Sequence, residues 1–158
     1  MKHISIWGLS GLFLILSCTK DPKNYPPEPQ IYYQSVKPQE IDLSAENQSV
    51  DIIFSFTDGD GDIAQDETET EPAIYVRRQR DSLAEPYAFP MPFIPENVRP
   101  EKGGVEGRVV INLGKEFFSL DSLHSVWGGD TVAFDIYIKD LTGNKSNVIT
   151  TDSVIVTF

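Results

Sequence analysis

The sequence predicts an all-β domain: one antiparallel β-sandwich of about seven strands. Three observations carry this. Short segments alternate apolar and polar residues with a period of two, so each strand has one dry face and one wet face. Only "KEFFSLDSLHSVW" has the spacing of a helical turn, and it is short. The connections are rich in Gly, Asn and Pro, which end strands and make turns.

Taken in chain order, "IYYQSV" is the first strand. In "VDIIFSF", Val50, Ile52, Phe54 and Phe56 share a face opposite Asp51 and Ser55. "AIYVRRQ" places Ile74 and Val76 inward, with Tyr75 and Arg77 outward. "RVVINL" contributes Val109, Ile111 and Leu113. In "DTVAFDIYIKD", Val132, Phe134, Ile136 and Ile138 point one way and Thr131, Asp135 and Lys139 the other. "DSVIVTF" ends the chain with Val154, Val156 and Phe158 on one face.

The last connection, "KDLTGNKSN", has the pattern D-x-x-G-N-x-S at Asp140, Gly143, Asn144 and Ser146. Gly143 and Asn144 tolerate positive φ, and Asp140 can bond nearby backbone N–H groups. This hairpin resembles the turn between the final two strands of bacterial immunoglobulin-like repeats, which are related in shape to fibronectin type III domains. The resemblance implies an immunoglobulin-like order for residues 31–158. The paired cysteines of antibody domains are absent.

Residues 1–17 read as a targeting segment. Lys2 and His3 precede a mostly apolar run from Ile4 to Leu16, too short for the roughly 20 residues of a spanning helix but suited to a secretory signal. Cys18 is the only cysteine, so it forms no internal disulfide. It could fill the apolar run, pair with another chain, or accept lipid, and its position favours the last. "ILSC", with Ile15, Ser17 and Cys18, resembles the lipobox of bacterial lipoproteins, although Leu16 is bulkier than that family places there. The resemblance implies a thioether-linked diacylglycerol on Cys18 and cleavage before it. Several acyl chains, palmitate for example, make a stable anchor where one is marginal.

Lys20 and Asp21 follow closely, which resembles the surface-export signal of Bacteroidota lipoproteins. The expected location is the outer membrane, lipid-anchored and surface-exposed. Residues 18–30 hold the lipidated cysteine and a Pro-rich tether that extends roughly 35 Å at about 3.1 Å per residue. Loss of residues 1–17 removes Lys2 and no acid, taking the net charge from −11 to −12. That balance argues against nucleic acid, whose phosphates need cations, and suits a domain that collects cations.

"TDGDGDIAQDETETE" joins the second and third strands. Counted from Asp58, Asp60, Asp62, the Ala64 carbonyl, Asp66 and Glu69 fall on the ligand places of a calcium loop of the helix–loop–helix class. Ile63 stands where that class needs glycine, and the flanks are strands, so the match is to ligand spacing alone. "DGDGDI" also resembles a segment of Bacteroidota surface lipoproteins with this type of sandwich. The alternative is a solvated acidic turn. Immunoglobulin order puts this loop and the loop before the last strand at one end, so Asp140 and Asn144 would neighbour Asp58 to Glu69. The first strand begins at that end too, which places the acidic loops on the tether side. Calcium is the cofactor these spacings suggest.

"EPYAFPMPFIPENVRP" alternates prolines with apolar residues. Tyr87, Phe89, Met91 and Phe93 either close the open side of the sandwich or form a strip for a protein or glycan partner. Four Asp-Ser/Thr-aliphatic triplets resemble the O-glycan acceptor of Bacteroidota; Ser82 and Ser122 lie in expected loops, Thr131 and Ser153 in expected strands. Catalysis finds little footing. After cleavage His124 is the single histidine, there is no G-x-S-x-G elbow, and zinc lacks ligands. The sequence therefore reads as an envelope binding, adhesion or accessory module without catalysis. The alternatives are a glycan-binding accessory of nutrient uptake, or an enzyme whose best residue is His124.

Overall fold

Ten strands among the described residues build two layers around one core. The computed structural model describes residues 24–63, 72–95, 104–118 and 129–157. The first layer holds β1 (Gln30–Lys37), β3 (Ser49–Asp58) and β6 (Val105–Gly114), in the order β1-β3-β6 and antiparallel throughout. The second contains β4 (Pro72–Arg78), β5 (Tyr87–Pro90), β8 (Phe134–Ile138) and β9 (Ile149–Thr150), in the order β5-β4-β8-β9. It runs on into β2 (Glu40–Asp42), β10 (Val154–Thr157) and β7 (Gly129–Val132), in the order β2-β10-β7.

The last two groups are one layer because they share chain paths. β7 and β8 are a single run interrupted at Ala133, whose carbonyl accepts Gln79 N–H at 2.8 Å. β9 and β10 are a single run interrupted at 151–153, where Thr151 Oγ1 accepts Phe134 N–H at 3.0 Å. Counted by path, with β1 and β2 as one strand switching layers, the sandwich has seven strands in immunoglobulin-like order.

The alternation predicted from sequence is realised. Val50, Ile52, Phe54 and Phe56 from β3 meet Ile74 and Val76 from β4 and Phe134, Ile136 and Ile138 from β8 in one buried cluster. Phe118 ends a single 3₁₀ turn at Lys115–Phe118 and packs edge-on against Phe134, centroids 5.4 Å apart. Burying each such side chain contributes about 1.5–3 kcal/mol. In β1 the inward residues Ile31 and Val36 are five apart, an odd number that a regular strand cannot place on one face. The register shift between Tyr33 and Ser35 absorbs the extra residue.

Two strands were not legible in the sequence. β2 is three residues long and offers only Ile41 to the core, pairing parallel to β10. β5 is hidden among prolines. It lies at the edge of its sheet, where a missing N–H leaves no partner unsatisfied. The fold also begins earlier than residue 31. Pro29 is buried, and Tyr25 O–H donates to a Glu106 carboxylate oxygen, so residues 25–29 of the expected tether already lie on the domain. Cys18 and Phe158 are outside the described residues, among which no helix is long and apolar enough to cross a membrane.

Candidate metal centre

Asp140 follows the end of β8 and opens the β8–β9 turn. Each motif residue of that turn has a mechanical role. Gly143 has φ +89°, which only glycine adopts freely, and its N–H donates to the Asp140 carbonyl at 3.2 Å. Ser146 pairs with Ile138 twice, its N–H to the Ile138 carbonyl and its Oγ to the Ile138 N–H, both 3.0 Å. The Asp140 carboxylate accepts the Asn144 N–H at 2.7 Å, the Asn144 Nδ2 at 2.9 Å and the Thr142 hydroxyl at 3.0 Å. Three donors fix its rotamer and aim it. Asn144 keeps a φ that is not positive, so Gly143 alone supplies the left-handed residue.

Across from this turn, β3 ends at Asp58, whose side chain is wholly enclosed (0% exposed). The chain then reverses through Gly59, Asp60 and Gly61, and Gly61 takes φ +71°. Ile63 drops back into the core at 0% exposure, and its N–H donates to Asp58 Oδ2 at 3.1 Å. This explains the departure from the helix–loop–helix calcium pattern. The sixth position here anchors the loop to a sandwich core; it does not make a free turn.

The two loops bring Asp58, Asp60, Asp62 and Asp140 together, each offering a carboxylate oxygen within 4.8 Å of the others. A calcium ion holds its oxygens at about 2.3–2.6 Å, so ligands on opposite sides of one ion are roughly 4.8 Å apart. The cluster therefore has the span of a single coordination sphere and can bind a metal ion. Asp58 Oδ1 and both oxygens of Asp62 are enclosed and meet no hydrogen-bond donor among the described residues. Thr142 lies close to Asp62, but its one hydroxyl proton goes to Asp140.

The electrostatics match that geometry. Burial, followed by the charges of Asp60, Asp62 and Asp140, pushes the Asp58 carboxyl up to about 7, against the opposing hydrogen bond from Ile63. Burial, Asp140 and Asp60 likewise raise Asp62. Two carboxylates at such distances repel by roughly 3–4 kcal/mol at an effective dielectric near 20. A divalent cation among these carboxylates would favour their charged forms and offset the repulsion between them.

The other residues singled out from sequence fall as follows. Ala64, Asp66 and Glu69 are outside the described residues, as are Ser122 and His124. Asn144 donates both its backbone N–H and its side-chain amide to Asp140, so it positions that carboxylate. Ser82 is exposed in the turn after β4, where its carbonyl accepts Arg77 Nη1 at 2.9 Å. The aromatic strip divides. Met91 is buried, and Phe89 packs on the core and on Phe117, with centroids 5.8 Å apart. Tyr87 and Phe93 keep 41% and 38% exposure. Sequence reasoning missed Gly59 and Gly104, which allow the acidic loop its close contacts; spacing of polar residues gives no signal for them.

No family model, curated protein or solved structure matches the chain. What it is rests on its own architecture: an immunoglobulin-like sandwich whose β3–β4 and β8–β9 loops gather four carboxylates able to hold a metal ion.

Proposed function

We propose that the protein is a lipid-anchored module of a bacterial outer envelope, of Bacteroidota type, whose sandwich is stapled by calcium and serves binding or assembly without catalysis. One observation carries the metal part. The fully buried Asp58 has an oxygen with no partner among the described residues, and its carboxylate lies with three others from two loops. An irregular, all-oxygen, carboxylate-rich site suits calcium, which accepts six to eight oxygens in flexible geometry; magnesium demands a near-regular octahedron and keeps its waters. The anchor rests on "ILSC" at residues 15–18 and the short apolar run before it.

The test is a thermal melt of the purified chain in chelator and in millimolar calcium. Calcium should raise the midpoint by several degrees, because a ligand at 100 times its Kd adds about 2.7 kcal/mol to stability. A midpoint that ignores calcium would overturn the reading.

A second reading is favoured by the exposed pair Tyr87 and Phe93 at the β5 edge, where Tyr87 packs edge-on to Phe117 at 4.8 Å. Aromatic side chains at a sheet edge suit a glycan, as in an accessory of nutrient uptake. Changing both to Ser should abolish retention on a glycan column without lowering the melting midpoint; unaltered retention removes this reading.

A further inference from the structure

Gly59 lies between two of the clustered acids, and the N-terminal segment crosses directly over it. A Cβ built on Gly59 would come within 2.3 Å of the Pro26 carbonyl oxygen and 2.4 Å of the Tyr25 carbonyl oxygen. On another side, a Cβ on Gly104 would meet the Asp58 carbonyl oxygen at 2.2 Å and the Gly59 Cα at 2.7 Å. The acidic loop is thus gripped between residues 25–26 and Gly104, backbone against backbone. Tyr25 O–H fastens the segment to Glu106 in β6, and Asn147 of the β8–β9 connection fastens the start of β1 through both the N–H and the carbonyl of Ile31, at 2.8 and 2.9 Å.

We propose that residues 24–29 are a latch seated on the metal loop, so that cation binding and docking of the N-terminal segment are coupled. The proposal rests on the cation reading above, which the fully buried Asp58, whose Oδ1 meets no donor among the described residues, supports independently of the acid count. The physical link is short. The backbone that carries Asp58 and Asp60 to the ion is the same backbone that forms the seat for Tyr25 and Pro26. With the ion bound, four carboxylates are drawn together and Gly59 is held in place. With the ion gone, their repulsion spreads the loop and the seat is lost. The consequence is directional: an occupied site fixes where the chain leaves the domain toward its N-terminus, and an empty one frees that exit. Coupling of this kind is reciprocal, so undocking the segment must weaken the cation by the factor by which losing the cation weakens docking.

Gly59→Ala is the selective perturbation. Its φ lies outside the left-handed region, so alanine meets no backbone penalty, and its nearest obstacles are atoms of the latch. The experiment uses the full chain with fluorotyrosine incorporated, calcium as the probe, and two readouts: calcium affinity by titration and the ¹⁹F signal of Tyr25. That signal is identified among the six tyrosines by its loss in Tyr25→Phe.

In the wild type, the Tyr25 signal should shift between a docked position in calcium and a solvent-like one in chelator. Gly59→Ala should show the solvent-like signal in both and bind calcium about tenfold more weakly, within the usual range of such couplings. Calcium binding with an unmoved Tyr25 signal and wild-type affinity in Gly59→Ala would overturn the latch while leaving the metal site standing. No calcium binding by the wild type would overturn the cation reading and the latch together. If Gly59→Ala fails to fold, Tyr25→Phe serves in its place: it should lower calcium affinity several-fold, and unchanged affinity overturns the latch.

Discussion

Replacing Asp58 with Asn should stabilise the protein in chelator and destabilise it in calcium, relative to wild type. The sign follows from the Asp58 carboxyl, raised from 3.8 to about 7 by burial and by Asp60, Asp62 and Asp140. Between about pH 4 and pH 7 the unfolded chain has lost this proton while the folded one keeps it. Metal-free stability therefore falls as pH rises through that window and levels off above it. The shift corresponds to at most about 4 kcal/mol at 1.36 kcal/mol per unit. Asn carries no charge, can still accept the Ile63 N–H, and offers an amide to the neighbouring carboxylates. At pH 8 in chelator it should recover part of that sum, raising the midpoint by roughly 5–15 °C at a few degrees per kcal/mol. At pH 4 the two proteins should melt nearly together. In millimolar calcium the order reverses, because the wild type gains binding energy that the Asp58→Asn variant forfeits. The assay is circular-dichroism melting at pH 4 and 8, with calcium and with chelator. If Asp58→Asn melts lower than wild type in chelator at pH 8, no buried charge is being relieved and the electrostatic reasoning fails.

Further outcomes follow from the same geometry. Calcium affinity should fall as pH drops below 7, by up to tenfold per unit, since a proton must leave Asp58 before the ion binds; a flat titration series from pH 8 to 5.5 would contradict this. Ile63→Ala should cost about 2–5 kcal/mol in urea unfolding and also weaken calcium, because the wholly buried side chain anchors the acidic loop. Asp140→Ala should cost about 1–3 kcal/mol even in chelator, as its three donors in the β8–β9 turn lose their acceptor. Cys18→Ser should abolish incorporation of labelled palmitate and release the protein from the membrane fraction; unchanged fractionation would refute the anchor.

Much of the architecture was written in period-two patterning, because burial of one sheet face leaves a direct trace in residue polarity. β3, β6 and β8 are legible residue by residue for that reason. β2 and β5 are not: the first buries one side chain, and the second is an edge strand whose prolines read as a breaker. The bulge in β1 is audible only as a parity error between Ile31 and Val36. At the metal centre, spacing pointed to Asp58, Asp60 and Asp62, and immunoglobulin topology added Asp140 from 78 residues beyond Asp62 in the chain. The same topology placed Asn144 in the β8–β9 turn beside these acids, where its amide donates to Asp140. The seat of residues 25–26 on Gly59 left no pattern at all, since two backbones in contact show in sequence only as a small residue in an acidic run.

The most direct measurement is a crystal structure grown in calcium, with anomalous scattering recorded to locate the ion. One peak is expected among the clustered carboxylates, within about 2.3–2.6 Å of oxygens from Asp58, Asp60, Asp62 and Asp140. A cage filled by water, or closed by a protonated Asp58 donating to Asp62 or Asp140, would contradict it.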